Sequence, residues 1–214
     1  MRIEQILEEH SCLGLIGNRG TAKTSLILTL FKGLRLKYPE LKLACMGINE
    51  ELEPTLEARN ITILRSKMDI LDLQMKDTII FVDEFALFFD TQTKSKQLEK
   101  LMRFFDRIEH QNCKIIVGTA REGYFNKFMC SRINCFLVKQ IEYESLVNGT
   151  WLKERVKAVK SNSDYRLELH QKDFYIVAND IPTSKSSFKY QKEFDTKKDN
   201  KPFFSDKKDE KIVI

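Results

Sequence analysis

Apolar positions over the first 140 residues fall into two patterns, short unbroken apolar runs and longer stretches with a helical period. The run at residues 12–16 reads as a buried strand, and residues 25–36 after it place Leu26, Leu28, Leu30, Phe31 and Leu34 at helical spacing. Further strands are predicted at 41–48, 61–64, 78–82, 114–118 and 135–138. Helices are predicted as a short leading element, at 95–111 and around 124–132. In the 95–111 helix, Leu98, Leu101, Met102, Phe105 and Ile108 are spaced for one buried face. Strands alternating with helices in this way predict an α/β fold with a mainly parallel central sheet flanked by helices on both faces. The run Thr78-Ile79-Ile80-Phe81-Val82 is apolar almost throughout, as a central strand covered on both sides must be.

Beyond residue 140 the pattern changes. Segments 166–169 and 174–177 read as strands around the polar stretch 170–173, which predicts a hairpin. From Pro182 onward Lys, Ser, Asp and Asn dominate, with Phe188, Tyr190, Phe194, Phe203 and Phe204 scattered among them. The expected organisation is one domain over residues 1–181, with a core at about 11–140 and an extension at 141–181. A lysine-rich tail at 182–214 would be mobile or ordered only by a partner. Its aromatics could stack on bases, dock on a neighbour or fold back on their own domain.

Between the first strand and its helix lies Gly17-Asn18-Arg19-Gly20-Thr21-Ala22-Lys23-Thr24-Ser25. Such a loop turns successive backbone N–H groups toward an anion at the positive end of a helix. Gly17 and Gly20 permit close approach, Lys23 would reach the β- and γ-phosphates of a nucleotide, and the Thr24 hydroxyl would coordinate Mg²⁺. This is the Walker A pattern G-x-x-x-x-G-K-[ST] with Ala22 in place of the last glycine, and alanine suits a helix start. The second half of the site is Asp83-Glu84 at the end of the 78–82 strand, the Walker B position. There Asp83 would hold the magnesium beside Thr24, and Glu84 would polarise an attacking water. The strand at 114–118 runs into Thr119-Ala120-Arg121, whose Thr119 and Arg121 could sense the γ-phosphate. Arg103, Arg107 or Arg121 could stabilise transition-state charge, in cis or across a subunit boundary.

These residues resemble the additional-strand class of P-loop ATPases, and within it the FtsK/HerA group, which includes viral genome-packaging ATPases and Zot-like phage assembly proteins. The resemblance covers residues 13–139. It rests on the loop, the acidic pair, the basic helix end with Arg107 and His110, and Thr119, with a weaker echo in Asp195-Thr196-Lys197. Ala120 stands where the group commonly carries Gln. The resemblance implies catalytic roles for Lys23, Glu84, Thr119, Arg121 and Arg107, with ATP and Mg²⁺ as ligands. It also implies a ring, commonly hexameric, that hydrolyses ATP between subunits and moves double-stranded DNA, with capsid or assembly proteins as further partners.

Composition narrows this picture only slightly. The chain has 214 residues, 42% of them hydrophobic, enough for a substantial core. A net charge of +5 permits nucleic-acid contact without requiring it. Five cysteines without C-x-x-C spacing read as free thiols of a reducing compartment, and His10, His110 and His170 are too dispersed to suggest a metal site. Residues 1–5 carry an acid where a signal peptide needs an apolar run, and no window offers the roughly 20 apolar residues of a membrane helix. The expectation is a protein without membrane insertion in the cytoplasm, the host cytoplasm for a viral protein. Two other functions fit the loop: a nucleotide-gated scaffold that hydrolyses slowly, which Ala22 and Ala120 keep open, and a small-molecule kinase, for which no arginine-rich lid is visible.

Overall fold

The computed structural model describes residues 6–7, 9–66, 76–88, 95–125, 127–159 and 165–188. The described strands are β1 (Cys12–Ile16), β2 (Lys42–Met46), β3 (Ile61–Leu64), β4 (Thr78–Val82), β5 (Lys114–Thr119), β6 (Cys135–Val138), β7 (Ile141–Glu142), β8 (Arg166–Leu167), β9 (Asp173–Ala178) and β10 (Ser184–Ser187). The described helices are α1 (Lys23–Lys37), α2 (Glu53–Glu57), α3 (Phe85–Phe88), α4 (Ser95–His110), α5 (Lys127–Arg132) and α6 (Trp151–Lys157). None is long and apolar enough to cross a membrane.

Eight strands make the main sheet in the order β10-β9-β6-β1-β5-β4-β2-β3. From β6 to β3 every neighbouring pair is parallel, while β9 runs antiparallel to both β6 and β10. The α/β fold with a mainly parallel sheet is therefore as the alternating pattern predicts. Period-two alternation divides the core between two faces. Leu13, Leu15, Ile79, Phe81, Ile116 and Leu137 point to the side covered by Leu26, Ile27, Leu28, Phe31 and Leu34 of α1. Ile16, Ile80, Val82, Ile115, Val117, Phe136 and Val138 point to the side covered by α4, α5 and α6. On that second face Phe85, Phe125, Phe136 and Trp151 form a chain of ring contacts at centroid distances of 6.2, 6.2 and 5.7 Å. Among the described side chains of α4, Phe105 and Ile108 are buried as expected, whereas Met102 is 42% exposed and Phe104 is buried in its stead.

The extension departs from the predicted hairpin. Residues 166–167 do not pair with 174–177; β8 pairs with β7 in a separate two-stranded sheet. The hairpin partner of β9 is β10, with Ser184 opposite Ile176 and Ser187 opposite Asp173. The polar sequence Ser-Lys-Ser-Ser hides this strand from a hydrophobicity reading, because an outermost strand needs no apolar face of its own. The tail expected from residue 182 thus begins with an ordered strand. Phe188 is partly buried against the α1-side core, so this aromatic packs on its own domain. Tyr190, Phe194, Phe203, Phe204 and the 195–197 segment lie outside the described residues.

Glu122, buried just after β5, anchors the extension. Its carboxylate accepts the Val147 N–H at 2.7 Å and the Thr150 hydroxyl at 3.2 Å, and burial pushes its pKa above the usual carboxylate range.

Packing at Gly14 yields a direct test. A Cβ there would come 2.3 Å from two ring carbons of Phe136, with Ile133 at 3.2 Å. In an overpacked core such a methyl group costs about 1–3 kcal/mol. Gly14→Ala is expected to lower the urea midpoint of unfolding accordingly.

Candidate functional site

The loop at residues 17–25 connects β1 to α1 at the carboxyl end of the sheet, the edge where open α/β folds place ligands. Parallel register sets its surroundings, since Ile16 is level with Thr119 on one side and Val138 on the other. The Gly17 N–H donates to the Thr119 carbonyl at 3.3 Å and the Asn18 N–H to the Gln140 carbonyl at 2.9 Å. Helix α1 has no side-chain cap and no acid in its first turn, so no negative side chain offsets the positive end of its dipole.

Two loop residues adopt left-handed backbone, Gly20 at φ 71° and Ala22 at φ 62°. The expectation that alanine at 22 merely starts the helix is corrected here. The position demands a positive φ, which glycine adopts freely and alanine only at about 1–2 kcal/mol.

Lys23 is buried and its Nζ donates to the carbonyls of Gly17 at 2.8 Å and Asn18 at 3.3 Å. The same ammonium lies 3.7 Å from the Glu84 carboxylate. The Thr24 hydroxyl donates to Asp83 Oδ2, and Asp83 Oδ1 accepts the Glu84 N–H at 3.1 Å. Burial pushes the Asp83 carboxyl above its ordinary pKa, against the lowering influence of the Thr24 hydrogen bond and the Lys23 charge. Glu84 has φ 47°, a second non-glycine residue of the site in left-handed conformation. Its side chain is 31% exposed, so it is reachable from solvent while touching Lys23. Strain of this kind persists where surrounding structure over-determines a geometry, as it does at functional sites.

The structure brings Gly17, Lys23, Thr24, Asp83, Glu84 and Thr119 together. Ser25 is buried at the head of α1, Asn18 is half-buried, Thr21 donates to the Asn18 carbonyl at 2.8 Å, and Arg19 is exposed. The buried Thr119 hydroxyl accepts the Arg121 N–H at 3.4 Å, and the Arg121 side chain is exposed on the same edge. Arg107 is not brought to this site within one chain. It lies one turn before Gln111, whose carbonyl accepts the Asp77 N–H at 3.1 Å at the amino end of β4. The five residues of β4 lie between Asp77 and Asp83, so roughly 20 Å separates that edge from the site. Arg103 is paired with Glu99 at 2.6 Å.

Other residues of this neighbourhood escape a motif reading. A Cβ on Gly118 would approach Asp83 Oδ1 to 3.1 Å, and one on Gly47, at φ 75°, would come 2.5 Å from the Asp83 carbonyl. Glycine inside or ending a strand signals close approach of something, but not of what. Buried Lys139 and the Gln171 side chain also border the loop.

The donor set fits a magnesium ion. Among the described residues no three His, Cys, Asp or Glu side chains converge on a metal-sized site. A hydroxyl beside one carboxylate is what Mg²⁺ takes when water and phosphate oxygens complete its shell.

Strain and burial at this site are both open to measurement. Ala22→Gly should raise stability by about 1 kcal/mol in urea unfolding by removing the left-handed alanine. Asp83→Asn should raise the thermal midpoint of the nucleotide-free protein at neutral pH, on a scale of about 2–4 °C per kcal/mol. Because the folded pKa of Asp83 is raised, the unfolded chain loses its proton first and native stability falls as pH rises through that window. The advantage of the Asp83→Asn variant should therefore shrink as pH is lowered into the ordinary carboxylate range, as thermal melts at stepped pH would record.

The fold has known likenesses. The genome-packaging NTPase B204 of Sulfolobus turreted icosahedral virus 2, in complex with ATP-γS, superposes with a TM-score of 0.62 at 14% identity, covering 82% of this chain and 96% of that one. The cytoplasmic domain of the type VII secretion ATPase EccC of Thermomonospora curvata gives 0.59 at 12% identity, over 87% of this chain and 24% of that one. The N-terminal domain of zonular occludens toxin from Neisseria meningitidis gives 0.52 at 10% identity, over 86% and 96%. No curated protein sequence matches the chain. These likenesses, at such identities, concern the fold, and they fall in the group that the motifs resemble. The sequence itself matches the family described as "ATPase family associated with various cellular activities (AAA)" over residues 13–140, more than half its length. The chain belongs to the AAA ATPase family, and it is a P-loop ATPase.

Proposed function

We propose that this ATPase hydrolyses Mg²⁺-ATP with Glu84 as general base, and that it uses the energy to move double-stranded DNA as a ring, in the manner of a viral genome-packaging motor. The observation that carries the hydrolytic reading is the meeting of Lys23, Thr24, Asp83 and Glu84 at one sheet edge, with Glu84 held in a left-handed backbone 3.7 Å from the Lys23 ammonium. The motor reading is supported by likeness over 96% of the length of a genome-packaging NTPase. Oligomerisation, a DNA track and capsid or assembly partners belong to this proposal.

In the reaction, the loop N–H groups and the α1 terminus receive the phosphates. Lys23 exchanges the Gly17 and Asn18 carbonyls for β- and γ-phosphate oxygens. Glu84 takes a proton from water as the water oxygen bonds to the γ-phosphorus. The bond from that phosphorus to the bridging oxygen breaks, and ADP and inorganic phosphate leave. Thr24 and Asp83 would hold the magnesium, which neutralises charge on the phosphate oxygens. Thr119 at the end of β5 and Arg121 two residues beyond it respond to the γ-phosphate in this reading. Since Arg107 stands at the opposite edge of its own sheet, a finger role for it requires a neighbouring subunit.

Glu84→Gln is expected to bind Mg²⁺-ATP with near-native affinity and to lose turnover by about 10²–10⁴-fold, the usual contribution of a general base. Lys23→Ala should lose affinity instead. Steady-state hydrolysis with and without double-stranded DNA checks both readings. Turnover lost in Glu84→Gln and raised by DNA in the native chain is the expected result. Native turnover indifferent to DNA, with a monomeric mass by light scattering at saturating nucleotide, would sink the motor reading.

A further inference from the structure

Lys139 follows β6 and is 1% exposed, a burial that an ammonium tolerates only with acceptors close by. Its Nζ donates to the main-chain carbonyls of Gln171 at 2.5 Å and Asp173 at 2.7 Å, and lies 4.9 Å from the centroid of the Phe188 ring. The Asp173 carboxylate is turned elsewhere, to Lys185 at 2.7 Å and the Ser187 hydroxyl at 2.8 Å. Burial pulls the Lys139 pKa down to about 8, opposed by the charge of Asp173. The hydrolytic step has no use for this buried charge.

The other end of the same residue forms a wall of the phosphate loop. A Cβ on Gly17 would lie 2.6 Å from Lys139 Cβ, the Lys139 N–H donates to the Ile16 carbonyl at 2.8 Å, and the next carbonyl, of Gln140, accepts from Asn18. Further along the loop the Gln171 side-chain amide donates to the Gly20 carbonyl at 3.4 Å. Residues 17–20 are thus held by 139–140 at Gly17 and Asn18 and by Gln171 at Gly20. The Lys139 ammonium, bound to the Gln171 carbonyl, joins the two holds.

We infer that Lys139 is a positioning residue that ties the phosphate loop to the β9–β10 hairpin, so that nucleotide in the loop stiffens the hairpin and an intact hairpin tightens nucleotide binding. This rests on the reading that residues 17–25 hold the phosphates of ATP. A cradle of backbone N–H groups binds well only when it is ordered beforehand, and a loop with two glycines has much freedom to lose. Ordering imposed by the hairpin removes that cost from the binding step. Coupling between two sites is reciprocal, so the hairpin must feel the nucleotide as strongly as the loop feels the hairpin.

The test uses the full chain with ATPγS and Mg²⁺, and compares native protein, Lys139→Met, Gln171→Ala and the double variant. Lys139→Met is expected to weaken ATPγS binding about tenfold, and to raise KM for ATP more than it lowers kcat. Gln171→Ala should weaken binding less, and the double variant should fall short of the product of the two. Amide exchange in residues 173–178 should slow on adding ATPγS to native protein and stay unchanged in Lys139→Met. A Lys139 that serves stability alone would lower the melting point while leaving affinity and nucleotide-dependent exchange intact, and that result overturns the inference. If Lys139→Met does not fold, Gln171→Ala decides, with native affinity and native protection counting against the tie. Failure of native protein to bind ATPγS would overturn the phosphate-loop reading itself, a result distinct from normal binding that ignores Lys139.

Discussion

Asp83 keeps a carboxylate largely out of water at the end of β4, and its neighbours are arranged around the cost of doing so. An isolated buried charge is strongly destabilising, and a hydroxyl, a backbone N–H and a nearby ammonium offset it only in part, leaving the acid with a raised pKa. The space for it exists because β5 and the residue after β2 offer Gly118 and Gly47 at the points of contact. The contact with Thr24 joins the central acidic strand to the first turn of α1 and so fixes the loop against the sheet. A divalent cation here would neutralise a charge the fold already holds, so ligand binding and stability are linked through one side chain.

The left-handed residues Ala22 and Glu84 carry the same logic in backbone form. Each stands one residue from a group that would meet phosphate or metal, Lys23 in one case and Asp83 in the other. Strain of about 1–3 kcal/mol at such positions is sustained by the sheet beneath them. The chain of rings from Phe85 through Phe125 and Phe136 to Trp151 supplies part of that support, running from the residue after Glu84 to the first residue of α6.

Much of this is legible in the chain because parallel strands covered on both faces must be apolar almost throughout. Runs 12–16, 78–82, 114–118 and 135–138 therefore announce β1, β4, β5 and β6, and the motifs at their ends announce the site. What stays hidden has identifiable physical reasons. Strand β10 is polar because it is an edge, and β8 is too short to give a periodicity, so a hydrophobicity reading draws the hairpin between the wrong partners. The left-handed φ of Ala22 leaves no trace in residue type. Nothing in the residue pattern marks Lys139 as buried, since its acceptors are carbonyls more than thirty residues further along the chain. Arg107 fits a family pattern in one dimension, while the antiparallel return of α4 carries it to the far edge of the sheet.

The antiparallel pairing of β9 with β6 has a consequence for the life of the chain before it is fully folded. Strand β6, Cys-Phe-Leu-Val, is apolar along its whole length, and without β9 it would form an open edge beside β1. The extension separates Val138 from Asp173 along the chain, so the strand that closes this edge is synthesised after the strand it covers. Over that interval β6 is an adhesive border capable of recruiting a second chain, and β9 followed by the polar β10 replaces it with a border that recruits poorly. The hairpin is thus also the seal that closes the sheet against a second chain once it has docked.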